Sequence, residues 1–359
     1  MKSDDIKTVL VTGAGGLIGS EASKYFCKLG CKVIGVDNNM RKEFFGEAGD
    51  TSKVIHSLST SYSNFTNYSI DIRDTKGIEE LLSSQQPDVI IHTAAQPSHD
   101  WAAKDPYKDF TVNANGTLVM LEAFRKCIKN PDKVFVHMST NKVYGDNPNK
   151  VHLIEKDKRY DYSDSQTIKG VSLEGISEEM SLDNCTHSLF GVSKCAGDLL
   201  AQEYGGYFDL NIGIFRGGCL TGPQHSAVEL HGYLTYIVEC AVNKTPYKIL
   251  GYNGKQVRDQ IHSVDVISAF IEFIQNPKKG EAYNIGGCKE NSISILETID
   301  ILSKDFGLNL NYSYVDKNRI GDHICYYSDM SKFKKDYPTW KISKNVSGII
   351  KEIIDAKKK

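Results

Sequence analysis

Hydrophobic positions along this chain fall into short apolar runs separated by stretches in which apolar residues recur every three or four positions. The runs 8–11, 32–36, 67–70, 88–93, 133–138, 209–215 and 281–285 are rich in Val, Ile and Phe and read as strands. Between them, 18–29, 76–84, 108–129 and 190–206 carry a helical period. Strands alternating with helices predict an α/β fold, a doubly wound parallel sheet with right-handed crossovers. Residues 41–66 are polar and rich in Ser and Thr, and read as a long surface excursion. Toward the C-terminus the alternation weakens. Segments 146–188, 219–259 and 291–335 read as insertions that together cap the sheet edge.

The turn after the first run reads Thr12-Gly13-Ala14-Gly15-Gly16-Leu17-Ile18-Gly19. Glycines at 13, 16 and 19 permit a tight strand-to-helix turn, close approach of a pyrophosphate and close packing of helix on strand. The helix start offers unpaired N–H groups to the anion. The second run ends in Asp37, followed by Asn38, and an acid there accepts hydrogen bonds from both adenosine ribose hydroxyls. Its charge repels a 2'-phosphate, so NAD is the expected cofactor. Arg41 lies close enough to keep NADP as the minor reading. The chain therefore reads as a Rossmann domain over 1–188, to which 189–216 and 260–287 return. A smaller C-terminal substrate-binding lobe is built from 219–259 and 288–359.

Composition narrows the partners. A net charge of -2 over 359 residues offers no basic field to nucleic acid or to an anionic membrane. The start, Met1 to Lys7, lacks the apolar core of a signal peptide, and no apolar run is long enough to span a bilayer, which predicts a cytoplasmic protein. The nine cysteines are scattered, without a CxxC pair or zinc spacing, so neither a metal nor a disulfide is expected.

Further landmarks sit where strands end, the place at which doubly wound sheets bind ligands. Asp71-Ile72 follows the third run, where a carboxylate meets an adenine amino group or caps a helix. Thr93, Ala94 and Ala95 follow the fourth, small enough to lie against a cofactor, and His92 before them reads as a packed strand histidine. The fifth leads into Ser139-Thr140-Asn141-Lys142-Val143-Tyr144-Gly145. His187-Ser188-Leu189-Phe190-Gly191-Val192-Ser193-Lys194 comes later, with Gly254 to Asp259 and Tyr283 to Gly287 beyond. In these residues, together with Asn113 and with Arg319 before Asp322, the chain resembles the extended short-chain dehydrogenase/reductase family. Its nucleotide-sugar epimerases and dehydratases are the nearest members, above all those inverting C2 of CDP-linked dideoxy sugars.

The resemblance implies NAD, a nucleotide-sugar substrate and a homodimer built on 108–129 and 190–206. It implies that Thr140 orients the sugar oxygen and that Lys194 holds the nicotinamide ribose and lowers the pKa of a tyrosine base. Here that tyrosine is Phe190, whose ring cannot exchange a proton. Three readings of Phe190 stand: a tyrosine replaced by design, a natural residue with another group as base, or a site that binds without turnover. Cys219 and His225, in the loop that faces the sugar in relatives, are ionisable groups suited to a substitute base, Cys219 first. Arg258 and Arg319 match arginines that grip the diphosphate, with a surface ion pair as the plain alternative for each. Ser98, Asn141, Tyr144 and His231 are the remaining expected pocket residues. Asn113 reads as structural or as a neighbour of Lys194. The expected function is an epimerase that oxidises a sugar carbon and reduces it on the other face. A 4,6-dehydratase is less well matched, because its Asp-Glu pair is here Asn141-Lys142; a decayed sugar-nucleotide binding protein is the non-enzyme alternative.

Overall fold

Seven strands, β1 (Thr8–Thr12), β2 (Lys32–Val36), β3 (Phe65–Tyr68), β4 (Val89–His92), β5 (Val134–Thr140), β6 (Asn211–Gly217) and β7 (Lys279–Ile285), form one sheet. Their order is β7-β6-β5-β4-β1-β2-β3. The pairs β1–β2, β2–β3, β1–β4 and β4–β5 are parallel, so the order reverses between β1 and β4, the switch point at which such sheets bind ligands. The structure, a computed structural model, describes residues 6–223, 232–316 and 321–358.

The helices flanking this sheet are α1 (Leu17–Lys28), α2 (Ser52–Ser61), α3 (Thr75–Gln85), α4 (His99–Lys104), α5 (Pro106–Phe110), α6 (Gly116–Cys127), α7 (Leu189–Tyr207) and α8 (Ser263–Gln275). Their apolar faces bury Leu81, Leu82, Met120, Leu121, Phe124 and Ala201 against Leu10, Ile34, Ile90 and Phe135 of the strands. Central strands are buried on both sides, which is why they read as unbroken apolar runs.

Three sequence expectations change. The third strand is 65–68, not 67–70, because Asp71 starts a turn and Asp74 caps α3, its side chain accepting from Gly77 N. The supposed excursion 41–66 contains α2, whose buried Leu58 was hidden among polar neighbours. The stretch 108–129 is not one helix. A π turn at Thr111–Asn115 interrupts it, and there the Asn113 side chain takes part in a buried hydrogen-bond network.

The chain divides into two compact units. The first is Met1–Val143, Leu189–Arg216 and Val266–Tyr283, and the second is Tyr144–Ser188, Gly217–Asp265 and Asn284–Lys359. Residues 144–188, assigned from sequence to the Rossmann domain, cluster with the second unit instead. Strand Val257–His262 organises that unit, pairing parallel with Cys219–Thr221 and Cys325–Tyr326 and antiparallel with Ser292–Ser294. Helix Ile295–Phe306 starts there with a reciprocal Ser294–Glu297 capping box.

Within the first unit, Asp198 of α7 is fully buried. It accepts from Arg216 of β6 through Nε at 3.0 Å and Nη2 at 2.8 Å, from Ser139 Oγ of β5 at 2.6 Å and from Gln202 Nε2 at 2.6 Å. Removing one partner of a buried ion pair strands the other charge. Asp198→Asn should therefore destabilise the protein by about 3–5 kcal/mol in urea unfolding; a loss below about 1 kcal/mol would mean that Arg216 finds another partner.

Candidate active site

The end of β1 and the start of α1 build an anion cradle from backbone. Gly13 has φ +67°, and a Cβ there would meet Ala94 N at 2.9 Å. A Cβ at Gly19 would come within 2.1 Å of the Gly13 carbonyl oxygen, so only glycine lets α1 start this close to the strand. Leu17 and Ile18 open the helix, and its N-cap, Gly16, supplies no side-chain hydrogen bond. The first-turn N–H groups are left to a ligand.

Asp37, at the end of β2, accepts from Gly15 N at 2.8 Å, Asn39 N at 2.9 Å and Thr51 Oγ1 at 3.0 Å. Asn38 turns the backbone by accepting from Met40 N. Arg41 stacks on Phe45 at 5.0 Å. Burial lowers its pKa, and the charge of Asp37 acts in the opposite direction. Thr51 belongs to the segment that read as a featureless excursion, and no spacing rule points to it.

At the end of β4, Thr93 Oγ1 donates to Thr12 O at 2.7 Å, and Thr12 Oγ1 accepts from Thr93 N and Ala94 N. Ala95 completes this half-buried ledge. His92 is packed as expected, bonded to Thr12 and Thr117, and burial lowers its pKa to about 3. Asp71 does not cap a helix. Its carboxylate is held by Arg73 through Nε at 3.0 Å and Nη2 at 2.7 Å, while Ile72 packs against Gly116.

A second cluster in the same unit joins β5, α4 and α7. Thr140 is half-buried at the end of β5, and its Oγ1 accepts from Lys142 N at 3.2 Å. Lys194 lies within α7 and donates from Nζ to Met138 O at 2.9 Å; burial lowers its pKa to about 8, against the charges of Asp198 and Asp109. Phe190, one helical turn earlier, is buried, and its ring meets the imidazole of His99 edge-on with centroids 4.9 Å apart. Sequence reasoning missed His99, for nothing in the order of residues brings 99 to 190. Asn113 joins these pieces: its Nδ2 donates to Gln96 O and Ser193 Oγ, its Oδ1 accepts from Gln96 N, and Ser193 Oγ donates to Phe190 O.

Other expected site residues fall elsewhere. Ser98 is buried as the N-cap of α4, its Oγ accepting from Trp101 N. Tyr144 is fully buried in the second unit, and its hydroxyl donates to Asn284 Oδ1 at 2.7 Å. Asn141 is buried beside Thr140. In the second unit, Arg258 donates to Val257 O and stands 4.0 Å from Asp322. Cys219 is half-buried on its short strand, near enough to Tyr233 to add to that phenol's raised pKa after burial itself. His225, His231 and Arg319 lie outside the described residues. Among the described residues no helix is long and apolar enough to cross a membrane.

A glycine-turned helix start at the sheet's switch point, with an acid closing the second strand, defines a Rossmann dinucleotide-binding protein. The chain belongs to the NAD dependent epimerase/dehydratase family, whose profile matches residues 9–286. It is 32% identical over 333 residues to CDP-paratose 2-epimerase of Salmonella typhi, covering 90% of this chain and 91% of that one. It is 28% identical over 345 residues to dTDP-glucose 4,6-dehydratase of Escherichia coli, covering 91% and 87%. Among solved structures it is similar to UDP-glucuronic acid 4-epimerase from Bacillus cereus in complex with UDP-glucuronic acid and NAD, with TM-score 0.76, 26% identity and coverage of 98% and 99%.

The cradle fits NAD. Three donors already fix the Asp37 carboxylate, which would have to face a 2'-phosphate. NAD should bind at least about tenfold tighter than NADP, a gap of about 1.4 kcal/mol, and Asp37→Ala should narrow it. Titration calorimetry with equal affinities in the parent protein would remove the argument.

Proposed function

We propose that this protein is a nucleotide-sugar epimerase acting at C2 of a CDP-linked dideoxy sugar. The observation that carries the reading is the wall formed by Thr140 and Lys194 on adjoining elements of one unit, with Asn141 and Lys142 where a dehydratase has its acid pair. The match to CDP-paratose 2-epimerase over nine-tenths of the chain supports the same choice.

Bound NAD supplies hydride acceptance from the sugar carbon and return to its opposite face. The protein's own groups do the rest. The first turn of α1 and Gly13 hold the pyrophosphate, Asp37 the adenosine ribose, and Lys194 the second ribose. The hydroxyl of Thr140, fixed by Lys142 N, orients the sugar oxygen. In the second unit, Arg258 suits phosphate oxygens through its guanidinium fork. Holding the diphosphate keeps the oxidised sugar from escaping while it turns over.

Incubation of the purified protein with CDP-paratose should yield its C2 epimer, followed by NMR, and denaturation should release NAD. Loss of water from a dTDP- or UDP-sugar instead would favour the dehydratase reading. Binding of NAD and CDP-paratose without conversion would leave a binding protein.

We further propose a homodimer formed through α5–α6 and α7. Phe110 and Leu118 on the first pair, and Leu189, Val192 and Leu199 on α7, are each at least 38% exposed, an unusual density of apolar side chains for a solvated surface. Light scattering should report a dimer, and Leu199→Glu should shift it toward monomer; a monomeric parent at micromolar concentration would refute the interface.

A further inference from the structure

The missing tyrosine leaves a chemical gap. Oxidising a carbinol to a carbonyl releases the O–H proton, and a group within hydrogen-bond reach must take it and return it on reduction. Phe190 offers no such group. We infer that His99 is the proton acceptor and donor of this site, its imidazole in edge-on contact with the phenyl ring that stands where relatives carry tyrosine. The inference rests on the epimerase reading above.

Three observations carry it. First, the His99 ring is in edge-on contact with Phe190, at 4.9 Å between centroids and 62° between planes, and it is half-buried rather than sealed in the core. Second, its backbone is fixed relative to α7. Gln96 Oε1 accepts from Ser98 N, Gln96 Nε2 donates to Asp109 Oδ1, and Asn113 links Gln96 to Ser193 one turn from Phe190. A general base needs such positioning more than it needs any one scaffold. Third, several ionisable groups around this wall are held by other partners. Lys194 Nζ donates to Met138 O, Asp198 is paired with Arg216, and Asp109 accepts from Gln96 and Asn113. His92 and His137 are sealed in β4 and β5, where burial drives their pKa values far down.

The step balances. As the C–H hydrogen leaves with its electron pair to NAD, the sugar O–H bond breaks and an N–H bond forms on the neutral imidazole. On return the imidazolium gives back the same proton as the C–H bond forms on the other face. The base must start neutral, so activity is present above the imidazole pKa and lost as pH falls through it, about 6.5 for an ordinary histidine. Charged groups on the elements packed around His99 are Asp100 and Lys104 on α4, Lys108 and Asp109 on α5, and Lys194, Asp198 and Glu203 on α7; Lys108 is paired with Glu43.

The test uses the NAD-loaded full chain with CDP-paratose, comparing the parent, His99→Gln, Phe190→Tyr and the double variant, after melting curves confirm folding. His99→Gln should lower kcat about a hundredfold while the Kd for CDP-paratose stays within a few-fold. The acid limb of the rate should vanish in that variant. In the double variant, activity should partly recover with its limb moved up toward the tyrosine range. A kcat within about threefold of the parent in His99→Gln would overturn the inference. If the parent leaves CDP-paratose unchanged, the substrate reading fails separately, and NMR titration of His99 decides the rest. Its midpoint should shift between the parent and Phe190→Tyr, because the new hydroxyl falls beside the imidazole; superimposable titrations would overturn the assignment.

Discussion

The fully buried Asp198 carboxylate is the interaction on which the placing of Thr140 and Lys194 depends. It receives Arg216 from β6, Ser139 from β5 and Gln202 from its own helix, so α7 is tied at one point to two adjacent strands. Lys194 sits one turn before it and Thr140 one residue beyond Ser139. Their separation is thus set by a buried ion pair with little freedom to slide. Burial makes that pair costly to break, though not a large net source of stability compared with an apolar replacement. Its value here is geometric.

A similar economy governs the cofactor end. Asp37 is oriented by three donors, one of them Gly15 N from the glycine turn itself, so the acid and the phosphate cradle are parts of one hydrogen-bonded piece. Thr12 does the same on the other side, joining β1 to the ledge after β4 through its hydroxyl and carbonyl. The switch point of the sheet is therefore cross-tied on both flanks. Adding a Cβ at Gly13 or Gly19 would push against backbone atoms, which cannot rotate away.

Between these two ends lies the loop from Ala94 to His99. Gln96 and Asn113 exchange backbone and side-chain hydrogen bonds among buried residues, and Asn113 lies in the π turn between α5 and α6. This arrangement holds the first residue of α4 against α7. It explains why an asparagine in mid-helix, unfavourable by propensity, is placed where it is.

Much of the molecule was legible before any coordinates. Most strand positions, the glycine turn and Asp37 follow from local rules, because burial on both faces leaves a continuous apolar run and a pyrophosphate-binding turn demands glycine at fixed offsets, whereas the Thr140–Lys194 pair was legible only through the family resemblance. The packed character of His92 was readable for the same reason. What only the tertiary structure decided are contacts between residues distant in sequence: Thr51 on Asp37, Arg216 on Asp198, Asn284 on Tyr144 and His99 on Phe190. Polar side chains carry no period, and a hydrogen-bond partner dozens of residues away leaves no local trace. Tyr144 and Ser98 look like pocket residues in sequence because their neighbours are, yet folding turned one hydroxyl into the core and used the other to cap a helix.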